Sequence, residues 1–271
     1  MDRNNEIPLS SYGILKRASI ETELDSIVEQ VNNVGYAVLD PKFTKSQIDF
    51  IGREFDEVLI RYQYTYQKQL ASSSAEKQTI RAMLTHNSDI FLKLALNDVL
   101  LNAVGKLIDG KFMLNQQNGL INPPADDYSQ GKWHRDLPYQ HFVSSSALAV
   151  NALYCVDDFT WENGATFVLP ASHKFSALPS ETYLKKNAIQ LEAKAGSFIV
   201  LNCMTFHAGG VNKSQYSRRA VNHIFNIPFF KQQINLPQNL LSKNLTQKAR
   251  ELLGFTFSEP ASVEAYLSNR S

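Results

Sequence analysis

The chain has 271 residues, of which 44% are hydrophobic and 20% charged, a composition that is ordinary for a globular protein with a sizeable core. Its 27 Lys and Arg residues balance 26 Asp and Glu residues to a net charge of +1, and without a basic excess no nucleic-acid partner is expected. Two isolated cysteines, the lack of an apolar leader and the lack of a stretch of about 18 apolar residues favour a cytoplasmic protein without a membrane partner.

The first part of the chain is predicted to be mostly helical. The segment IETELDSIVEQVNNVG has apolar residues at helical spacing and ends at Gly35. YAVLD is a predicted short strand, and a second helix follows Thr44, which has the spacing of a capping box with Gln47. Residues 60–80 are polar and rich in Tyr, and we expect a helix end and a loop there. DIFLKLALNDVLLNAVGKLID predicts one or two buried helices that reach Gly110.

The pattern changes after residue 110. Short apolar segments such as ALAVNALYCVDDF, GSFIVLN and RRAVNHIFNIPFF alternate with clusters of Gly, Pro, Asn and Asp, which is typical of a β-sandwich or barrel. Helices followed by strands favour an α+β arrangement in which helices cover one side of the sheet. We therefore predict a single domain over residues 1–271, with a mostly helical part at 1–110, a β core at 111–232 and a C-terminal tail with a short helix at 233–271.

The segment KWHRDLPY carries His134 and Asp136. If the segment is extended, side chains two residues apart point the same way, so this pair is either part of a metal site or an incidental polar pair on a strand or turn. His207 comes much later, between a predicted strand and two glycines. Two histidines and one carboxylate are the ligand set that holds non-haem Fe(II) and leaves positions open for other ligands. A β-barrel site requires such a long separation because several strands pass between the ligands.

Arg218 and Arg219 follow His207 at the start of another predicted strand. A buried guanidinium can hold a carboxylate with two parallel hydrogen bonds, whereas an arginine at the surface more often forms an ion pair there. Because side chains alternate along a strand, one of the two arginines is expected to point inward and the other outward.

Together these motifs resemble the phytanoyl-CoA dioxygenase family of Fe(II)- and 2-oxoglutarate-dependent oxygenases. Members carry His-x-Asp, then Glu-Asn-Gly leading to Pro-x-Ser-His, then a distal His followed by Asn-x-Ser and Arg. This chain has HRD, ENGATFVLPASH and GSFIVLNCMTFHAGGVNKSQYSRRA in the same order, with Ala171 where many members have glycine. The resemblance implies a mainly β fold, a double-stranded β-helix (jelly-roll, cupin-like) core with N-terminal helices packed on it.

The resemblance also implies which residues bind the cofactor and cosubstrates. His134, Asp136 and His207 are expected to bind Fe(II), and Arg218 is expected to bind the distal carboxylate of 2-oxoglutarate, with O2 as the second cosubstrate. Relatives that halogenate have a small residue at the position of Asp136, so this aspartate favours oxygenation.

Further residues are weaker candidates for the site. Thr166 matches a position where relatives place a hydroxyl near 2-oxoglutarate, and Asn118 is expected to reach the same cosubstrate from an earlier strand. Tyr139 and His141 follow Asp136 and either face the substrate or brace the loop. His173, in PASH, is interpreted as a structural turn residue and not as a ligand.

The function predicted from the resemblance is hydroxylation of a small-molecule substrate with release of succinate and CO2. The same iron chemistry also gives desaturation, cyclisation or epimerisation, and the sequence does not separate these outcomes. The alternative from another class is a β-barrel that binds a metal or ligand without catalysis. The sequence carries no signal for an oligomeric state.

Overall fold

The computed structural model describes residues 7–125, 128–137 and 143–268, so the predicted substrate-facing residues Tyr139 and His141 lie outside the described residues. The strands are β1 (Tyr36–Leu39), β2 (Thr79–Ile80), β3 (Met113–Asn122), β4 (Ala149–Cys155), β5 (Phe167–Val168), β6 (Ile189–Gln190), β7 (Phe198–Asn202), β8 (His207–Ala208) and β9 (Arg218–Asn226). The helices are α1 (Glu23–Val34), α2 (Lys45–Thr65), α3 (Gln67–Leu70), α4 (Ser74–Lys77), α5 (Asp89–Ala95), α6 (Asp98–Ile108), α7 (Glu181–Asn187), α8 (Leu236–Asn239), α9 (Gln247–Leu252) and α10 (Val263–Ser268).

The strands form two antiparallel sheets. The larger sheet has the order β1-β7-β4-β9-β3-β2, and the smaller has the order β6-β5-β8. The chain crosses from one sheet to the other between β4 and β9, as in a jelly roll. An apolar cluster that contains Leu153 and Ile199 of the larger sheet and Val168 of the smaller one packs between the sheets. The predicted double-stranded β-helix is confirmed.

Both faces of the larger sheet are covered, and β4 is therefore buried along its whole length. On one face Val150, Ala152 and Tyr154 belong to the main apolar core together with helix residues such as Phe55 and Leu100. This arrangement confirms that the N-terminal helices pack on the sheet. The alternate residues of β4 face the smaller sheet. Since the helical face buries most of the apolar area that stabilises the fold, the opposite face is free to carry polar groups.

Helix α2 begins where the sequence predicts, whereas α1 begins at Glu23, inside the predicted segment that starts at Ile20. Thr44 and Gln47 form the predicted capping box at α2: the Gln47 N–H donates to Thr44 Oγ1 at 3.3 Å and the Thr44 N–H donates to Gln47 Oε1 at 2.8 Å. These bonds satisfy backbone donors that have no partner inside the helix. Gly35 ends α1 with a φ of 90° and leads directly into β1.

The division at residues 1–110, 111–232 and 233–271 stays a prediction. Two strands that precede residue 110, β1 and β2, lie in the larger sheet, where they pair with β7 and β3. The predicted C-terminal short helix is α9, after which the chain turns at Gly254 with a φ of 89°. Leu252 and Leu253 join the main core, so the tail packs on the same helices. Among the residues described, no helix has both the length and the apolar character of a membrane span.

The Gly35 turn gives a stability prediction. A Cβ on Gly35 would lie 2.4 Å from Thr205 Oγ1 and 2.8 Å from His173 Nδ1. Gly35→Ala is expected to lower the free energy of unfolding by about 2 kcal/mol or more, because the left-handed conformation costs an L residue about 1–2 kcal/mol and Thr205 must also move. Urea denaturation measures this loss.

Gly13→Ala is the matched control for that variant. Gly13 also has a positive φ, of 72°, but a Cβ there meets nothing within 4 Å. We expect a clearly smaller loss in this exposed arm, and equal losses in the two variants would contradict the role of the Thr205 contact.

Candidate metal centre

Two segments that are distant in the chain meet at His134 and His207. The His134 N–H donates to the His207 carbonyl at 3.0 Å, and the His207 N–H donates to the His134 carbonyl at 3.1 Å. Two residues further, the Asp136 N–H donates to the Cys203 carbonyl at 3.1 Å. The segment with the predicted His-x-Asp motif thus pairs with the backbone of residues 203–207, and this pairing fixes the backbone positions of all three residues.

The side chains of His134, Asp136 and His207 converge. One potential ligand atom from each residue lies within 4.8 Å of the others, and His207 Nε2 is 3.7 Å from Asp136 Oδ2. The two imidazole rings have centroids 4.3 Å apart. The structure thus brings together the three residues that the sequence singled out as ligands.

The tautomers of both histidines leave Nε2 free for a metal. Nδ1 of His134 lies 2.7 Å from the Lys132 carbonyl, and Nδ1 of His207 lies 3.0 Å from the Thr205 carbonyl. Because a carbonyl only accepts, each Nδ1 carries the proton and each Nε2 keeps its lone pair. This is the outer-shell pattern that orients metal-binding histidines. Burial, and then the neighbouring His207, lower the pKa of His134, which favours the neutral imidazole that a metal requires.

Asp136 is oriented by a side chain that sequence reasoning missed. Asn151 of β4 donates from Nδ2 to Asp136 Oδ2 at 2.8 Å. In the sequence Asn151 is one polar residue within an apolar strand. Only the pairing of strands reveals that it reaches the carboxylate.

Arg218, at the start of β9, is a buried cation without a carboxylate partner. Its side chain is 3% exposed and its guanidinium stacks on the Phe159 ring at 3.9 Å. The Tyr128 phenol lies beside the guanidinium in the same cavity, and Nε of Arg218 has no hydrogen-bond partner. Burial lowers the pKa of Arg218. Within the described part of the chain, Arg218 forms no ion pair, so an anion would find an unused buried cation there.

Arg219, the next residue, points the other way. It forms ion pairs with Asp157 at 2.7 Å and with Asp56 at 2.8 Å. The prediction that one arginine faces inward and the other outward is confirmed.

One cavity joins the metal candidates to Arg218. Its polar lining consists of His134, Asp136 and His207 together with Tyr128, Gln130, Asn151, Thr166, Arg218 and Asn222. The rest of its lining consists of Leu120, Leu153, Leu201, Gly209 and Ala220. Thr166, predicted to lie near the cosubstrate, therefore shares the cavity with Arg218.

Two other predicted residues have different surroundings. Asn118 is not among the residues that line this cavity: its Oδ1 accepts from the Ala82 N–H at 3.1 Å and its Nδ2 donates to Gln233 Oε1 at 2.9 Å. His173 lies 3.1 Å from the Asn32 carbonyl through Nε2, next to Ala171, whose φ is 59°. His173 thus braces a turn, as predicted. Ala171 holds the left-handed conformation that the glycine of many relatives adopts readily.

Sequence reasoning also missed that Tyr128 lines the cavity, and the one sequence feature related to it is a glycine of the HAGG motif, Gly209. A Cβ on Gly209 would come within 2.4 Å of the Tyr128 ring. Glycine at this position therefore makes room for the phenol beside Arg218. The sequence showed the glycine but not its partner, which sits in a loop far away in the chain.

Arg135, between the two residues of the motif, fastens the segment to its support. The side chain is 8% exposed and its guanidinium stacks on the Phe206 ring at 3.9 Å. It donates to four backbone carbonyls, those of Ser172, Phe175, Ser176 and Met204. Because Phe206 and Met204 lead directly into His207, one side chain ties the segment 134–136 to the strand that carries the third candidate ligand.

Comparisons with known proteins agree with this geometry. The model of the family described as phytanoyl-CoA dioxygenase matches residues 31–220. An uncharacterized protein of Mycobacterium tuberculosis is 31% identical over 253 residues, 90% of this chain and 92% of that protein. The dioxygenase hkm4 of Aspergillus hancockii is 28% identical, over 79% of this chain and 75% of its own length.

Solved structures share the fold. EctD from S. alaskensis with 2-oxoglutarate and 5-hydroxyectoine has a TM-score of 0.60 and 18% identity, over 74% of this chain and 75% of that chain. The epimerase SnoN, in complex with Fe3+, alpha ketoglutarate and nogalamycin RO, has a TM-score of 0.56 and 14% identity, over 75% of this chain and 83% of that chain.

The contacts of Arg135 lead to a prediction about metal affinity. Arg135→Gln removes most of the carbonyl contacts, and we expect Co(II) to bind about 10-fold more weakly, the lower end of the range for groups that hydrogen-bond a ligand, because Arg135 acts through the backbone of the ligand segments. Titration of the metal-free protein, followed by the visible absorption of Co(II), measures this change. Arg135→Lys is expected to recover only part of it, because an ammonium cannot reach four carbonyls.

Arg250→Gln is the control for the loss of a stacked guanidinium. Arg250 lies over the Phe255 ring at 4.3 Å in the C-terminal part of the chain. Its Co(II) affinity should equal that of the unaltered protein. If Arg135→Gln lowers only the melting temperature and leaves the Co(II) affinity unchanged, Arg135 is merely structural.

Proposed function

The chain belongs to the phytanoyl-CoA dioxygenase family and is an Fe(II)- and 2-oxoglutarate-dependent dioxygenase. We propose that it hydroxylates a small-molecule substrate and that His134, Asp136 and His207 bind the iron. The observation that carries this proposal is one cavity with two distinct binding groups. Two Nε2 lone pairs and a carboxylate converge at one point, and a buried guanidinium without an anion lies at another.

The donor set fits Fe(II). Two neutral imidazoles and one carboxylate bind a divalent ion and leave positions open for a keto acid and O2. When bound, Fe(II) with 2-oxoglutarate and O2 supplies the oxidising power: one oxygen atom enters the substrate and the other enters succinate, which is released with CO2. The residues of the chain hold the reactants. Lys132 and Thr205 orient the imidazoles, and Asn151 orients the carboxylate.

Arg218 is proposed to bind the distal carboxylate of 2-oxoglutarate. A buried guanidinium that lacks an anion is costly, and pairing with a carboxylate offsets that cost. Tyr128 stands beside the guanidinium and can donate to the same carboxylate, and Thr166 offers a hydroxyl in the same cavity. The apolar lining of the cavity, which includes Leu153, suits the methylene groups of the keto acid.

The other candidates enter the proposal with conditions. Asn118 would contact the cosubstrate only if its amide exchanged Ala82 or Gln233 for it. Tyr139 and His141 directly follow the motif and stay candidates for substrate contact. A cytoplasmic location is also proposed, which agrees with the free, buried thiols of the two cysteines.

The carboxylate of Asp136 at the ligand position favours oxygenation over halogenation, and hydroxylation is the outcome that we propose. Desaturation, cyclisation and epimerisation use the same cofactors, and the orientation of the substrate decides among them. A product that gains one oxygen atom from O2, detected by mass spectrometry with labelled O2, would distinguish hydroxylation from the other three.

Replacing Asp136 tests the iron site. Without air, Fe(II) and 2-oxoglutarate should give the unaltered protein a visible charge-transfer band, and admitting air should yield succinate. Asp136→Ala is expected to lower succinate formation by about 100-fold or more, because loss of a ligand costs several kcal/mol of metal binding. Asp49→Ala, which removes an exposed carboxylate paired with Lys45, should behave like the unaltered protein. Absence of the band in the unaltered protein, or full activity in Asp136→Ala, contradicts the proposal.

Arg218 and Arg219 form a matched pair for a test of the cosubstrate site. Arg218→Gln should raise the dissociation constant of 2-oxoglutarate by about 30-fold or more, since losing one partner of a buried charge pair costs about 2–5 kcal/mol. Arg219→Gln loses its pairs with Asp56 and Asp157 but should leave that constant unchanged. Isothermal titration with Zn(II) in place of Fe(II) measures both. Equal effects of the two substitutions would argue against Arg218 as the cosubstrate ligand.

A further inference from the structure

Two asparagines beside the triad have amide oxygens without partners. Asn151 and Asn222 both line the cavity, and Oδ1 of each is buried without a hydrogen-bond partner. The orientation of the Asn151 amide is determined by chemistry: its other end meets Asp136 Oδ2 at 2.8 Å, and a carboxylate can only accept. The free end of Asn151 is therefore an acceptor that needs a donor.

The two asparagines can meet one ligand. In the register of β4 and β9, Asn222 lies opposite Leu153 and Asn151 lies opposite Ile224. The two asparagines are thus diagonal neighbours on one face, at a separation of about 7–8 Å between Cα atoms. A small molecule that hydrogen-bonds both asparagines would lie beside Asp136, which Asn151 contacts.

A third asparagine lies on the same face of β9, beyond the buried Ile224. Asn226 shares the face of Asn222 because side chains on a strand repeat every second residue. It is 0% exposed, and neither atom of its amide has a partner. Each buried polar group without a partner costs about 1–3 kcal/mol. The fold therefore tolerates several costly groups along the face of β4 and β9 that carries Asn151, Asn222 and Asn226, which we call the asparagine wall.

The charge and hydrogen-bonding groups of the asparagine wall restrict the class of ligand that can bind there. Among the lining residues that the structure describes, Arg218 is the one permanent cation, and the proposed function commits it to 2-oxoglutarate. Amide oxygens disfavour a carboxylate or phosphate. A plain hydrocarbon chain would leave both oxygens unpaired. A hydroxyl or an N–H group is what the two oxygens lack.

We infer that the substrate is a neutral molecule that presents hydroxyl or N–H donors to Oδ1 of Asn151 and Oδ1 of Asn222, next to the carbon that is oxidised. This inference rests on the proposed function and names the substrate class of the same site. Asn151 then has two roles: its amide nitrogen holds Asp136, and its oxygen holds the substrate beside that ligand. The substrate donor, once bound, also removes the cost of the two unpaired oxygens.

Matched fragments test the inference with the protein loaded with Zn(II) and 2-oxoglutarate. Cyclohexanol offers a donor, methoxycyclohexane keeps the oxygen but has no donor, and cyclohexanecarboxylate carries a charge. Further ring and chain fragments are tested in the same three forms. Ligand-observed NMR should show the alcohols binding about fivefold or more tightly than the ethers, as one hydrogen bond of about 1 kcal/mol requires. Equal affinities, tighter binding of the carboxylates, or no binding by any alcohol would overturn the inference.

The substitution Asn222→Leu tests whether the asparagine wall causes the preference for alcohols over ethers. It should remove the preference for alcohol over ether and leave the melting temperature unchanged or higher, because it deletes a buried oxygen without a partner. Asn222→Ala, a smaller substitution, should remove the same preference. Asn102→Leu, on the exposed face of α6, is the control and should keep the preference. A preference that survives in Asn222→Leu and Asn222→Ala overturns the inference.

The 2-oxoglutarate titration separates this inference from the proposed function. If Zn(II) and 2-oxoglutarate fail to bind the unaltered protein, the proposed function itself fails. If they bind and the alcohols show no preference, only the inference fails. If Asn222→Leu weakens 2-oxoglutarate as much as it weakens the alcohols, Asn222 belongs to the cosubstrate site and the inference is wrong.

Discussion

The reciprocal backbone hydrogen bonds between His134 and His207 are the contact on which the site depends. They join two segments that are far apart in the chain and place the backbones of both histidines side by side at the smaller sheet. The Asp136 N–H donates to the Cys203 carbonyl, and Arg135 donates to the Met204 carbonyl, so this seam between segments 134–136 and 203–207 is held at several points. Because backbone groups hold the seam, the side chains remain available for other partners.

The two faces of the larger sheet divide stability and function between them. The face under the helices is an apolar core that reaches from α1 to the C-terminal tail. The face toward the smaller sheet carries Arg218, Asn151 and Asn222, each with a buried polar atom that has no partner. Such atoms lower stability, and they persist at sites where a ligand completes them. The surplus of apolar burial on one face offsets the unpaired groups on the other.

Polarity also changes along the cavity. One end has a guanidinium and a phenol, which suit an anion, and the far side has amide oxygens, which suit neutral donors. The proposed metal centre adjoins the amides, because Asn151 donates to Asp136. In these proposals charge separates the keto acid from the substrate, and neither competes well for the site of the other.

Local patterns were enough to predict the capped helices, the change to strands after residue 110 and the opposite directions of Arg218 and Arg219, because capping and two-residue alternation depend on near neighbours. The motif residues His134, Asp136 and His207 were also identified from the sequence. Tyr128, Arg135, Asn151 and Asn222 were missed, and Asn118 was given a role without its partners Ala82 and Gln233. Their contacts depend on which strands become neighbours and in what register. The sequence by itself thus determined the chemical groups, while only the tertiary structure decided which of those groups meet, because strand pairing brings together residues that share no local pattern.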